Sequence, residues 1–301
     1  MSFKIIKTPH RHCIFTIAEE LRPFFLKDRS LLNCLFSAVN SVISRMFFKI
    51  NKSQRFTPGF ICVLHTFGRD LKWNPHIHCL LSEGGAGTSI PWRKVDHFNY
   101  RLLRDSFQTT LLSELLSRLG DSFKKVKSSI YANHKNGFYV RALPNKCEPS
   151  KVIKYIGRYL GHPVIATSRI DSYDGDFVTF HYNRHEDEKL ITETVPVLDF
   201  ISMLTQHIPE KHFKMIRYYG LYARHRKSDL KLHRAISNEY ITEAQLAKEL
   251  REKYMKNPPE GMTSAEVRSM SDDELLDMDY FFHEFDDIND DDFGEEGFYI
   301  F

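Results

Sequence analysis

Two histidines separated by one apolar residue have the type and spacing to bind a metal ion. His76 and His78 flank Ile77, and on a β-strand the side chains at positions i and i+2 project to the same face. The isoleucine would anchor the strand while both imidazoles point the same way. The pair predicts a two-nitrogen metal clamp, provided that neighbouring elements supply further ligands.

A third imidazole comes from the preceding strand. Residues 60–67 are rich in β-branched and aromatic residues and predict a strand, and residues 77–81 predict a second one. Residues 68–75 between them carry turn residues and end in an Asn-Pro breaker. A hairpin would fold His65 back beside the histidine pair, with Asp70 as an alternative carboxylate ligand. His65 could equally cap its strand or satisfy a hydrogen bond in the core.

A second chemical feature follows about eighty residues later. Residues 149–160 have a helical pattern in which Tyr155 and Tyr159, four residues apart, share one face. Lys154 and Arg158 add positive charge that would suit a phosphate. Two tyrosines at this spacing can also be ordinary core or surface aromatics, so the helix by itself leaves their role open.

Taken together, these features resemble the two-tyrosine class of the HUH endonuclease superfamily, and most closely its rolling-circle insertion-sequence transposases. The matching stretches occur in the family's order between residues 10 and 227. They are His65–Gly68, Asn74–His78 running to Gly84-Gly85, Tyr155–Tyr159 with Ala166–Ile170, and His207–Lys211 with Arg217–Gly220.

The resemblance implies a metal-dependent DNA nickase and strand transferase. A metal ion held by His65, His76 and His78 would polarise the scissile phosphodiester. Tyr155 or Tyr159 would attack it, leaving a 5′-phosphotyrosine and a free 3′-hydroxyl. Imidazole ligands ordinarily favour zinc, iron or nickel, but the resemblance implies Mg²⁺ or Mn²⁺.

The same resemblance implies that single-stranded DNA is the partner, both as element ends and as target. It also implies a cytoplasmic protein of a prokaryote, associated with the nucleoid. Two alternatives stay open: a plasmid or phage replication initiator or relaxase with the same nicking chemistry, and a non-enzymatic DNA-binding remnant.

The cysteines depart from the family's pattern. Family members commonly carry an N-terminal zinc-binding module built on paired Cys-x-x-Cys motifs. This chain has five cysteines and no such pair, and it begins almost at the first catalytic strand, so we expect the module to be missing. An odd number of scattered cysteines indicates a reducing compartment rather than a disulfide framework.

Charge is divided unevenly along the chain. The net charge is +3, yet no Lys or Arg follows Arg268 and residues 269–301 hold 13 acidic residues. Residues 1–268 therefore carry 42 basic and 26 acidic residues, a net +16 that is typical of a polyanion-binding protein. The predicted DNA contacts, any of which could instead be a solvated charge, are Lys154, Arg158, Arg217, Arg224, Arg226 and Lys227.

We expect three segments. Residues 1–235 would form the nuclease domain, residues 236–270 a helical extension, and residues 271–301 an acidic, disordered tail. The tail could simply aid solubility; its spaced aromatics and acids could also imitate a nucleic-acid strand and compete with DNA for the basic groove. No stretch reaches the length of apolar residues that crosses a bilayer, so we expect no membrane partner.

Periodicity predicts the elements that must position the site. Helices are expected at residues 30–48, 98–119, 197–207 and 239–256, and strands at 10–18, 137–142 and 177–182, the last of them edge-like. Helices between hairpin-paired strands predict an α+β fold with a central antiparallel sheet and flanking helices. In such a fold the tyrosine helix would pack over the sheet face that bears the histidines.

Overall fold

The computed structural model has the predicted α+β architecture. It describes residues 5–6, 8–50, 57–87, 92–95, 98–147, 164–184, 187–223, 240–241, 243–258, 262–272 and 275. The strands in these ranges are β1 (Ile5–Ile6), β2 (His10–Phe15), β3 (Thr57–Phe67), β4 (Trp73–Ala86), β5 (Arg93–Lys94), β6 (Val140–Cys147), β7 (Ile170–Tyr173), β8 (Phe177–Asn183), β9 (Leu190–Pro196), β10 (Ile216–Gly220) and β11 (Tyr240–Ile241). The helices are α1 (Arg22–Lys27), α2 (Leu32–Ile50), α3 (Tyr100–Leu119), α4 (Lys124–Asn133), α5 (Val197–Thr205), α6 (Glu243–Lys256) and α7 (Ser264–Ser269).

A six-stranded antiparallel sheet forms the centre of the fold. Its strand order is β10-β3-β4-β2-β6, and β5 pairs with the end of β4. Residues directly opposite each other on neighbouring strands share a face. Cys13 lies opposite Cys79, which lies opposite Cys62, and this row marks what we term the helix face. The residues one position away along these strands point to the other side, which we term the histidine face.

The helix face carries the main hydrophobic core. Helices α2 and α3 pack against it, and their apolar residues recur at helical spacing, as predicted from residues 30–48 and 98–119. Phe36 and Phe47 of α2 and Phe107 of α3 are fully buried, and the ring of Phe107 meets Phe15 of β2 edge-on. This dense packing fixes the strands whose opposite face carries the histidines.

One membrane expectation needs correction. By length and composition, the helical segment Arg29–Phe48 is apolar enough to cross a bilayer, although no such stretch is predicted from the sequence. In the fold, Leu35, Val39 and Ile43 of this segment have no exposed surface and belong to the core on the helix face. Its apolar character is therefore accounted for by core packing.

The predicted hairpin of β3 and β4 is confirmed, but the prediction that the turn extends to Pro75 is wrong. The second strand already begins at Trp73 and contains Pro75. Phe67 pairs with Trp73 and His65 with His76, so β4 has one more residue than β3 between these two pairs. Such a β-bulge leaves a residue out of the ladder, which is where proline, lacking an N–H, is tolerated.

A second, three-stranded sheet has the order β7-β8-β9 and is followed by α5. The prediction that β8 is an edge strand is wrong, since it lies in the middle. Its alternation arises because Val178 and Phe180 face a small apolar cluster with Phe200 of α5, while their neighbours are more exposed. Leu71 of the β3–β4 turn belongs to the same cluster, so this sheet packs directly against the hairpin.

Helices α6 and α7 form a separate small cluster around Leu250 and Val267. Arg251 of α6 pairs with Asp272 at 2.8 Å, and Leu275 is fully buried in the cluster. The first residues of the predicted acidic tail therefore contact this helical extension. The rest of that tail, residues 273–274 and 276–301, lies outside the described residues.

Candidate metal centre on the histidine face

The hairpin brings the three predicted histidines together. His65 on β3 lies directly opposite His76 on β4, and His78 follows two residues later on the same face. Their ligand nitrogens all lie within 4.8 Å of one another. The Nε2 atoms of His76 and His78 are 2.8 Å apart, and the ring centroid of His65 lies 4.8 Å from that of His78. His65, the third candidate ligand inferred from the hairpin, thus lies beside the other two.

Hydrogen bonding fixes which nitrogen of His76 faces the cluster. Its Nδ1 donates to the backbone carbonyl of Asn74 at 2.7 Å. A neutral imidazole carries one proton, so a donor at Nδ1 leaves a lone pair at Nε2. That lone pair points towards His78 and is available to a metal ion.

Burial keeps these imidazoles neutral. His76 and His78 are 0% and 1% exposed. Desolvation lowers the pKa of His76 to about 3, and it also moves the pKa of His78 well below its ordinary value, helped by the neighbouring His65 and His76. Neutral imidazoles are the form that binds metals, so this environment holds the ligands ready.

The donor set fits a divalent cation. Nitrogen lone pairs that converge at 2.8 Å repel each other unless a proton or a metal ion lies between them. Three imidazoles grouped on one buried sheet face match the protein contribution to catalytic metal sites, in which further positions are filled by water or substrate. Imidazole nitrogen does not by itself select one metal.

The predicted alternative ligand, Asp70, lies in the hairpin turn outside this group. Its carboxylate accepts a hydrogen bond from the backbone N–H of Lys72 and pairs with the Lys72 ammonium at 3.2 Å. Asp70 therefore stabilises the turn that joins the two strands carrying the candidate ligands.

His207, part of another matching stretch, holds the same turn from the other side. Its Nε2 donates to the Leu71 carbonyl at 2.9 Å, and the Thr66 hydroxyl lies 3.2 Å from its Nδ1. Leu71 is buried and has a φ of 61°, a left-handed conformation that costs about 1–2 kcal/mol for a residue with a side chain. His207 thus stabilises a strained turn between the two strands that carry the candidate ligands.

His12 and Arg141 also lie on this face, and sequence reasoning does not single them out. His12 of β2 places its Nε2 2.9 Å from Nδ1 of His78. Arg141 of β6 and His78 of β4 both pair with Ile14 of β2, which puts the guanidinium group on the histidine face. The signal in the sequence is the alternation His10-x-His12 on a predicted strand, but strand order decides which strand neighbours the ligands.

The other predicted site residues are placed as follows. Arg217 lies on β10 opposite Cys62, hence towards the helix face; its guanidinium stacks 4.0 Å above the Phe36 ring and donates to Asn33. The remaining predicted residues, both nucleophiles among them, lie outside the described residues: Tyr155, Tyr159, Lys154, Arg158, Arg224, Arg226 and Lys227.

Comparison with known proteins identifies relatives. Residues 59–229, more than half of the chain, match the family Y2_Tnp, described as "Putative transposase". The chain is 30% identical over 232 residues to the transposase for insertion sequence element IS801 of Pseudomonas savastanoi pv. phaseolicola, covering 71% of this chain and 54% of that protein. It is 27% identical over 274 residues to "Putative transposase y4qJ" of Sinorhizobium fredii, covering 83% and 69%.

The chain thus spans about half the length of the IS801 transposase. No solved structure matches it significantly.

Proposed function

The chain belongs to the Y2_Tnp transposase family, and from this premise we propose that it nicks single-stranded DNA through a 5′-phosphotyrosine intermediate. It then transfers the strand in rolling-circle-type transposition. The observation that carries the proposal is the group of three histidines, two buried and one half-buried, with their nitrogens within 4.8 Å on one sheet face. A DNA-processing family and a preformed metal-ligand set together favour metal-assisted phosphoryl transfer.

His65, His76 and His78 would hold a divalent ion, Mg²⁺ or Mn²⁺ by the resemblance described above. When bound, such an ion supplies electrophilic stabilisation of negative charge on the phosphate oxygens. Arg141 lies on the same face, where its positive charge would attract the scissile phosphate. Neutral imidazole ligands would leave the net charge of the ion undiminished, which would favour an anionic substrate.

Tyr155 and Tyr159 are the proposed nucleophiles. In the cleavage step the phenolic oxygen forms a bond to phosphorus and the bond from phosphorus to the 3′-oxygen breaks. The phenol, with an ordinary pKa of about 10, loses its proton to solvent or a nearby base, and the 3′-oxygen leaves as a hydroxyl after taking up a proton. A new 3′-hydroxyl can reverse the step, so the strand is transferred without ATP.

The proposed DNA contacts are the basic residues Lys154, Arg158, Arg217, Arg224, Arg226 and Lys227. Of these, Arg217 borders a groove of about 610 Å³ beside strand β10. Lys214, Tyr218 and Tyr219 line the same groove. Positive charge beside aromatic rings is the combination that binds a single strand, through phosphate contacts and base stacking.

The test is an incubation of the protein with Mn²⁺ and single-stranded oligonucleotides carrying the ends of its own element. We expect a covalent protein–DNA adduct and a free 3′-hydroxyl product on denaturing gels. The adduct should disappear in the Tyr155→Phe/Tyr159→Phe double variant and when the metal is chelated.

An adduct that persists in the double variant would contradict the nucleophile assignment. Cleavage that is indifferent to chelation would contradict the role of the histidines. DNA binding without any cleavage of the element's ends would instead favour a non-enzymatic, DNA-binding remnant.

A further inference from the structure

His12 occupies a distinctive place beside the candidate metal centre. It lies on β2, the strand that pairs with β4, and is diagonal to His78 across that pair. Its Nε2 atom is 2.9 Å from Nδ1 of His78, and the two rings are nearly parallel, 20° apart with centroids separated by 5.1 Å. The contact is thus a hydrogen bond between nitrogens at the facing edges of two nearly parallel imidazoles.

The two central ligands are oriented by different kinds of partner. His76 uses its Nδ1 to donate to the Asn74 carbonyl, a backbone group that can only accept. His78 uses its Nδ1 towards the His12 side chain, which can accept or donate according to its own tautomer. The tautomer of His78 therefore depends on a side chain, whereas that of His76 is fixed by the backbone.

We propose that His12 is a positioning residue, which accepts a hydrogen bond from Nδ1 of His78 and so holds the Nε2 lone pair of His78 towards the metal ion. The inference rests on the proposed metal centre. Partners of this kind fix the ring orientation and tautomer of metal-bound histidines, and their loss typically weakens metal binding about 10- to 100-fold.

His10 on the same strand provides a matched comparison. It lies on the same face as His12, two residues away, and is fully buried. Its ring nitrogens contact the Thr8 carbonyl at 2.8 Å and the Tyr222 hydroxyl at 2.6 Å. His10 thus shares the strand and the residue type of His12, although it is fully buried whereas His12 is half-buried. Its hydrogen bonds to Thr8 and Tyr222 involve no candidate ligand.

The experiment measures Mn²⁺ affinity by titration calorimetry for the wild type and three variants of the full chain. His12→Phe keeps an aromatic ring but removes the acceptor, and its Kd for Mn²⁺ should rise about 10- to 100-fold. His12→Gln places an amide oxygen near the position of the original Nε2 and should keep the Kd within about threefold of wild type. His10→Phe should leave the Kd unchanged.

Thermal unfolding of each variant identifies those that fold, and the Kd refers to folded protein. Equal Mn²⁺ affinity in the wild type and His12→Phe would overturn the positioning role while leaving the metal centre intact. A Kd that rises equally in His12→Phe and His10→Phe would overturn it too, because the effect would then come from strand packing. A wild type that binds no Mn²⁺ would overturn the metal centre and the role of His12 with it.

Discussion

The two faces of the central sheet are built from the same strands but have opposite chemistry. Along β4, His76 and His78 point to one face, while Ile77 and Cys79 point to the other. On the helix face, burial raises the pKa of the Cys13 thiol to about 12. On the histidine face, burial lowers the pKa of His76 to about 3. Desolvation favours the neutral form in both cases.

The difference between the faces shows that burial alone does not make a reactive site. A neutral thiol is a poor nucleophile and a poor metal ligand, because both roles need the thiolate. A neutral imidazole, in contrast, is already the metal-binding form. The same low-dielectric environment therefore makes Cys13 and Cys79 inert packing residues and leaves His76 and His78 ready to bind a cation.

The largest expected effect is the loss of a ligand on the histidine face. His78→Ala should reduce Mn²⁺-dependent DNA cleavage by more than about 1000-fold, because a ligand and its hydrogen bond to His12 are both lost. Its control on the opposite face is Cys79→Ala, which should keep wild-type cleavage. Gel-based cleavage assays measure both, and loss of cleavage in Cys79→Ala as well would contradict the division between faces.

Truncating a large side chain on the helix face should have the opposite effect, lowering stability without changing metal affinity. Phe107 is fully buried and packs on Phe15, so Phe107→Ala should lower the free energy of unfolding by about 3–5 kcal/mol. The Kd of the folded fraction for Mn²⁺ should be unchanged. Denaturant unfolding measures the stability and calorimetry measures the Kd. A raised Kd would show that packing on the helix face affects the histidine face.

The two faces should also respond to opposite ends of the pH scale. His76 has a pKa of about 3 when folded and about 6.5 in the unfolded chain, so the unfolded state binds more protons below pH 6.5 and stability falls as the pH drops towards 3. The pKa of the Cys13 thiol rises from about 9 in the unfolded chain to about 12 in the folded protein. The unfolded state therefore loses its proton first, and stability falls as the pH rises above 9.

Each such group contributes about 1 kcal/mol per pH unit within its window. Urea unfolding across the pH range measures the slopes. His10, whose pKa burial lowers to about 4, offers a variant outside the ligand set: His10→Phe should flatten the acid slope and leave the alkaline slope unchanged. An unchanged acid slope in His10→Phe would show that protonation of His10 does not contribute to acid unfolding.

A smaller effect is expected at the turn that joins the ligand strands. His207→Phe keeps the stacking on Trp73, whose ring centroid lies 5.8 Å away, but loses the hydrogen bond to the Leu71 carbonyl. The free energy of unfolding should fall by about 1–3 kcal/mol. The Kd for Mn²⁺ should rise by less than in His78→Ala. Thermal unfolding by calorimetry measures the stability, and titration calorimetry measures the Kd. An unaltered stability would show that the hydrogen bond from His207 does not stabilise the turn.

The smallest expected effect concerns DNA affinity at the groove beside β10. Arg217→Gln should weaken single-strand binding about two- to fivefold. It should also reduce the slope of log Kd against log salt concentration by about one, the amount expected for the loss of one phosphate contact. Arg101, exposed on α3, provides the control Arg101→Gln, which should change neither. Fluorescence anisotropy at several salt concentrations measures both, and identical salt slopes in all three proteins would contradict the contact.

Much of the fold and of the site was predictable because it depends on local patterns. The spacing of His76 and His78 fixes their common face once a strand forms, and helical periodicity located α2 and α3. The predictions were wrong where tertiary contacts determine the extent of a strand or its place in a sheet. Pro75 sits inside a strand because a bulge removes the need for its N–H. The alternation in β8 indicates that one face of the strand is buried. Central and edge strands can both have one buried face, so the pattern did not distinguish them.

By itself, the sequence identified the candidate metal ligands, through the histidine pair and the hairpin that returns His65 to it. It also carried a family resemblance that the comparison confirmed. Only the tertiary structure decided which partners surround them. Strand order placed His12 beside His78 and Arg141 on the same face, although both are more than 60 residues away along the chain. Contacts between distant segments follow from sheet topology and core packing, which no short-range pattern encodes.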